Sequence, residues 1–207
     1  MTIYLLRHGE TIWNRDRRLQ GQRDTPLTLR GTHQAVAMGQ RLARVLGGRR
    51  PGAMLSSPLG RAYQTAALVA DEIGVDPDRI VLEHLVIETS FGAWDGLNME
   101  EILEQYPHEW AERRADRWHR APPGGESHAE VAERAGRFLA AMPDQRPLVI
   151  VAHGSFNRIL RGLWRGLDGL ASLALDEPQD GFYRLDSERR ECFIPAGAAP
   201  REDAGSS

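Results

Sequence analysis

The sequence predicts an α/β protein in which helices cover both faces of a mostly parallel, mixed sheet, a three-layer α/β/α arrangement. Three observations lead there. Short apolar runs without polar alternation recur along the chain, as strands buried on both faces require. Segments with apolar residues spaced three and four apart stand between them. The two kinds of segment alternate through the first two-thirds of the 207 residues, the order expected of a parallel sheet covered on both sides. With no internal repeat and no dividing linker, residues 1–194 are expected to form one domain.

The first strand is the apolar run Ile3-Tyr4-Leu5-Leu6, which ends in polar, turn-forming Arg7-His8-Gly9-Glu10-Thr11. Thr28 is placed to cap a helix whose apolar positions are Ala35, Met38, Leu42 and Val45. Gly47-Gly48 and Pro51 stop it. Ala53 to Leu55 reads as a second strand, running into Ser56-Ser57-Pro58 and a helix from about Leu59 to Ile73. Ile80 to Leu82 is a third strand, followed by a glycine-marked loop from Glu88 to Gly96. The segment Met99 to Arg117 reads as one helix rich in Trp and Arg, closed by Pro122-Pro123-Gly124-Gly125. Ser127-His128-Ala129-Glu130 fits a capping box and opens a helix to about Met142. Leu148 to Ala152 is a further buried strand, ending in His153-Gly154, with a helix from about Ser155 to Leu167 behind it. Gly181 to Leu185 and Glu191 to Ile194 are late strands, and 195–207 reads as a disordered tail of Ala, Gly, Pro, Ser and charge.

Composition narrows the chemistry. All 26 basic residues are arginine, so Schiff-base chemistry, pyridoxal phosphate anchoring and a lysine-dependent phosphate loop are excluded for this chain. A net charge of −3 gives no general attraction to nucleic acid, so any anion site must be local. The single Cys192 cannot form an internal disulfide, which fits a reducing compartment. The start, Met1-Thr2 and then an apolar run, is not a signal peptide, and no apolar run approaches the ~18 residues of a membrane helix. A cytoplasmic protein is expected.

Three strand ends carry the candidate chemistry. The first delivers Arg7-His8, the second leads into Arg61, and the fourth delivers His153-Gly154. In open α/β sheets the ligand crevice lies beyond the carboxyl ends of the strands. Arginine forks match phosphate oxygens bidentately, and a neutral imidazole is a competent nucleophile near neutral pH. Zinc would want three or four close ligands, and two flanking arginines repel a cation. The cluster therefore favours an anion over a metal. His33, His84, His108, His119 and His128 fit no such cluster and read as surface residues.

The motifs then resemble those of a known family. Leu6-Arg7-His8-Gly9-Glu10-Thr11 with Trp13-Asn14 is similar to the signature of the histidine phosphatase superfamily, in its phosphoglycerate-mutase-like branch. Further blocks follow in order: Gln20-Gly21, Asp24 to Thr28 with Gly31, and Ser56 to Ala66. Glu88 with Phe91 to Gly96, Gly124 to Ser127, and Val151 to Gly154 complete them. The resemblance spans about residues 1–185. It implies a phosphoglycerate-mutase-like fold and catalysis without metal or other cofactor. His8 would attack phosphorus and become a phosphohistidine, with Arg7, Arg61 and His153 around the phosphoryl group. Asn14 would donate to the phosphate, and Gly154 would lie beside it. Glu88 would protonate the leaving oxygen and then activate water. Gln20 and Gly21 are candidates for the substrate entrance; Glu10 and Thr11 would fix the turn that presents His8.

Within the family, Gly96-Leu97-Asn98 resembles the mutase form of the acid motif. The short stretch from Gly96 to Gly124 speaks for a phosphatase, because a smaller cover admits water. The expected activity is therefore phosphomonoester hydrolysis on a small phosphorylated metabolite. Phosphoglycerate mutase and an inactive binding protein on the same fold are the alternatives. No nucleic-acid or membrane partner is expected, and a homodimer is left open. Trp110, Arg113, Arg114, Arg117 and Trp118 read as core packing with a solvated charged face, with a lid over the site as the alternative.

Overall fold

The computed structural model describes residues 1–142 and 147–197. Its six strands are β1 (Thr2–Arg7), β2 (Ala53–Ser56), β3 (Val81–Leu82), β4 (Leu148–Ala152), β5 (Gly181–Asp186) and β6 (Glu191–Pro195). They form one sheet in the order β3-β2-β4-β1-β5-β6. The first four strands run parallel; β5 is antiparallel to β1, and β6 to β5. The helices are α1 (Ile12–Arg15), α2 (Leu29–Leu46), α3 (Gly60–Glu72), α4 (Met99–Gln105), α5 (Pro107–Ala115), α6 (His128–Ala141), α7 (Gly154–Arg165) and α8 (Gly169–Leu173).

The apolar runs lack alternation because both faces of the sheet are covered. Ile3, Leu5, Leu148 and Ile150 pack with Val131, Phe138, Phe156 and Ile159 of α6 and α7 on one side. Tyr4, Leu6, Val149 and Val151 pack with Met38, Leu42, Ala66 and Val69 of α2 and α3 on the other. Thr28 caps α2 by accepting from the Gly31 N–H, and Gly47 ends it in the left-handed conformation. Ser127 and Glu130 make the expected capping box of α6.

The register places the chemistry. Arg7 lies opposite Ala152, and Ser56 opposite Val151, so β1, β4 and β2 end almost level. The ladder continues for one bond on each side: His8 N–H donates to Ala152 and Ser57 N–H to Val151, both at 3.0 Å. His8, Ser57 and His153 thus leave the sheet edge together.

The single helix expected over Met99 to Arg117 is two. Pro107 lacks an N–H and disfavours helical geometry in the residue before it. Tyr106 accordingly sits at φ −133°, ψ 46° between α4 and α5. Two short helices, α1 and α8, carry too little periodicity to be read in advance. Strand β6 ends at Pro195, and Ala196 N–H donates back to Asp180. The fold therefore runs past residue 194, and 198–207 of the expected tail lie outside the described residues.

Candidate active site

His8 opens the turn after β1 and is 3 % exposed. The turn is possible because Gly9 and Gly31 touch backbone to backbone: a Cβ on Gly9 would lie 2.2 Å from the Gly31 carbonyl oxygen. Glu10 accepts from the Thr28 hydroxyl, and Thr11 caps α1. Both residues fix the turn, as expected.

The hydrogen bonds set the state of the His8 ring. Its Nδ1 lies 2.8 Å from the Gly9 carbonyl oxygen, which can only accept, so Nδ1 carries the proton. Nε2 then carries the lone pair, which accepts from Arg61 Nε at 3.3 Å. Burial, followed by the charges of Arg61 and Arg7, holds His8 well below the ordinary imidazole value. His8 is therefore neutral and nucleophilic at Nε2.

His153 caps the amino end of α7, with its ring centroid 5.2 Å from that of His8. Its Nε2 is 2.7 Å from the Ser57 hydroxyl. Ser57 Oγ already accepts from Leu59 N–H, so its own proton is free to donate to Nε2. This assigns the ring proton to Nδ1, which is buried and has no partner among the described residues. Burial, then Arg61, His8 and Arg7, lowers this histidine too. His153 is a neutral donor with one unspent N–H.

The two arginines differ. Arg61, 1 % exposed, donates to His8, to the Arg23 and Gly21 carbonyls and to Asp24. These bonds use all of its five N–H groups but one. Arg7 donates through Nη1 to the Glu177 carbonyl at 2.6 Å, and its buried Nε is unpartnered. Arg7 keeps most of its fork available. A Cβ on Gly154 would lie 3.2 Å from the Arg7 guanidinium carbon, so a larger residue there would crowd the fork.

Glu88 is 8 % exposed. Its carboxylate accepts from Thr89, Ser155 and Phe156 backbone N–H groups, at the amino end of α7. Its charge acts on both Arg7 and Arg61. The structure thus gathers His8, Arg7, Arg61, His153, Gly154 and Glu88 around one crevice. Asn14 joins them through Gln179, whose amide donates to the His8 carbonyl and to Asn14 Oδ1. Because Asn14 Oδ1 also accepts from Thr11 N–H, its NH₂ is the end left to donate.

Gln20 and Gly21 lie in the loop beside the site. Gln20 is 6 % exposed and braces that loop with its amide, accepting from Thr11 and donating to Thr25. Gly21 contributes its carbonyl to Arg61, at 2.6 Å.

Several supporting residues were not anticipated. Ser57 and Gln179 are described above. Glu177 is buried, pairs with Arg161 at 2.7 Å and accepts from Asn157, which also donates to the Leu6 carbonyl at the end of β1. Arg134 donates to the Leu85 and Ile87 carbonyls and pairs with Glu126, which tightens the loop carrying Glu88. His128 is another correction. It is 5 % exposed, not a surface residue, and is wedged between Trp118 and Arg113.

The Trp- and Arg-rich segment is likewise more than core plus solvated face. Trp118 does pack on the core. Trp110, Arg113, Arg114 and Arg117 instead line a cavity of about 460 Å³, together with Ser155, which holds Glu88.

Two buried neutral histidines, two arginines and a carboxylate thus meet at the edge of the parallel part of the sheet. The chain belongs to the histidine phosphatase superfamily (branch 1), which it matches over residues 3–194. It is 35 % identical over 158 residues to a Salmonella paratyphi C protein named probable phosphoglycerate mutase GpmB, covering 74 % of this chain and 70 % of that one. Among solved structures, the α-ribazole phosphatase of Shigella flexneri superposes with a TM-score of 0.81 at 25 % identity, over 94 % of this chain and 95 % of that one. The mycobacterial glucosyl-3-phosphoglycerate phosphatase bound to VO3 gives 0.74 at 32 % identity, over 93 % and 96 %.

Proposed function

We propose that this protein is a phosphomonoester hydrolase that works through a phosphohistidine on His8, without a metal. The observation that carries the reading is the hydrogen-bonded tautomer of His8, with Nδ1–H fixed by Gly9 and the lone pair on Nε2, where it accepts from Arg61. Nε2 attacks phosphorus while the ester oxygen departs. Arg7, the remaining N–H of Arg61, His153 Nδ1–H and the Asn14 amide hold the phosphoryl oxygens. Fixed donors of this kind stabilise developing charge without reorganising. Glu88 enters this step in its acid form, gives its proton to the departing oxygen and is left as the carboxylate. It then takes one from the water that attacks the phosphohistidine, releasing phosphate and restoring neutral His8.

The phosphatase reading over the mutase reading is supported by the structural neighbours, which are phosphatases, and by the short cover of α4 and α5. The GpmB resemblance favours the mutase as second reading. Three experiments test the proposal. A phosphorylated substrate labels wild type with an acid-labile, alkali-stable phosphate, and His8→Ala takes up none; equal labelling refutes the nucleophile. With 3-phosphoglycerate and a trace of the bisphosphate, phosphate release outpaces isomerisation; the reverse establishes a mutase. A chelator leaves hydrolysis unchanged, and loss restored by a divalent cation would overturn the metal-free mechanism.

A further inference from the structure

The leaving group of the ester must lie on the Glu88 side of the phosphoryl crevice, since Glu88 is the group that would protonate it. The 460 Å³ cavity is linked to Glu88 through Ser155, which lines it and donates its N–H to Glu88 Oε2 at 3.2 Å. Its chemistry is unusual for a chain with more acidic than basic residues, 29 against 26. Four arginines line it, Arg113, Arg114, Arg117 and Arg158, and no aspartate or glutamate does. Among the described residues none of the four makes a salt bridge, whereas Arg18, Arg61, Arg134, Arg161 and Arg165 all do.

Arg113 is the telling member. It is 6 % exposed, and a buried guanidinium ordinarily has a carboxylate partner. Among the described residues it donates only to the Arg120 carbonyl and to the His128 ring. The His128 ring is held by its Nδ1–H to the Arg117 carbonyl at 2.8 Å, so Nε2 is the acceptor that steadies the guanidinium. Burial and the neighbouring Arg117 pull Arg113 down to about 10, so it remains a cation at neutral pH without a counter-charge. The rest of the lining is largely apolar: it includes Phe91, Trp94 and Trp110, with the Trp94 and Trp110 rings 5.8 Å apart and inclined at 53°. Trp94 is 1 % exposed and its Nε1 has no partner among the described residues, a second buried donor left unspent.

We propose that this cavity selects phosphomonoesters whose leaving group carries a planar ring and, beyond it, a second anionic group that pairs with Arg113 and the arginines around it. This rests on the phosphatase reading and names its substrate class; neutral sugar phosphates are then poor substrates. Phenyl phosphate and 2-naphthyl phosphate are compared with their 4-carboxyphenyl and 6-carboxy-2-naphthyl counterparts. Wild type should favour the carboxylated member of at least one pair by about tenfold or more in kcat/KM, as one charge-assisted hydrogen bond provides. In Arg113→Met that ratio collapses toward one. The ratio compares two esters on the same protein, so a general loss of activity cancels. Arg117→Met, at an exposed position, should reduce the ratio by a smaller factor and serves if Arg113→Met does not fold. Hydrolysis of both members at equal rates overturns the proposal and leaves the phosphatase reading standing. A preference that survives both substitutions also overturns it. Hydrolysis of none of the four overturns both.

Discussion

His128 makes the stability of this protein depend on pH in a way that can be isolated. Burial and the nearby charge of Arg113 hold it down to about 4 in the folded chain, against an ordinary 6.5. Arg117 and Arg158 act in the same direction, and the bond to the Arg117 carbonyl acts against them. The native state is thus neutral at His128 where the unfolded chain would be protonated. The unfolded state binds the extra proton, so acid favours unfolding. The contribution is fully present above about pH 6.5, declines as pH falls towards 4, and is flat below. At 1.36 kcal/mol per tenfold in proton affinity, the whole window is worth about 3 kcal/mol, and about 2 kcal/mol is lost by pH 5. Urea unfolding of wild type and His128→Asn near pH 7.5 and pH 5 measures it. His8, His153 and Glu177 titrate in both proteins and cancel in the difference. The stability gap between the two proteins should narrow by about 2 kcal/mol at the lower pH. Parallel losses in both would show that His128 does not take up a proton on unfolding.

Three further outcomes follow from the site. Ser57→Ala removes the hydroxyl that assigns the His153 proton to Nδ1, and kcat should fall by about tenfold or more with the melting temperature little changed; an unaltered kcat would detach His153 from the phosphoryl group. Glu88→Gln should slow alkyl phosphates by about 10²–10⁴ but 4-nitrophenyl phosphate far less, because a good leaving group needs no proton. Equal losses on the two would deny Glu88 its role as acid. In Gly31→Ala the new Cβ would lie 2.0 Å from the Glu10 carbonyl oxygen. The cost should be about 1–3 kcal/mol in urea unfolding, and wild-type stability would show that the turn is not so tightly packed.

The sheet was legible in the sequence because its parallel strands are buried on both faces. Ile3 to Leu6 and Leu148 to Ala152 have no polar residue to confuse the pattern, and their ends mark the crevice. The capping residues Thr28 and Ser127 were legible for a similar reason, since each completes hydrogen bonds within three residues of itself. The break at Tyr106 was signalled by Pro107, but the surrounding helix-forming residues outweighed it. His128 could not be placed from its neighbours in sequence. Its burial depends on Arg113, fifteen positions away, and on how α5 meets α6.

What sequence conceals most thoroughly is how each arginine is spent, because all 26 look alike in composition. Arg161 is enclosed by Glu177 and Glu191 and lies over the Tyr183 ring, so its charge is consumed by the fold. Arg134 is likewise occupied in fixing the loop before Glu88. Arg61 is almost wholly fixed by carbonyls and Asp24, which makes it a stationary charge beside His8. Arg7 keeps an open fork next to His8. Arg113 is buried with no acidic partner among the described residues. A folded chain sustains the desolvation of an unpaired cation only where other packing offsets it or where an anion arrives. Arg7 and Arg113 are thus the two arginines whose donors the described residues leave under-committed, and they are where an arriving anion would find a charge that the fold has not already used.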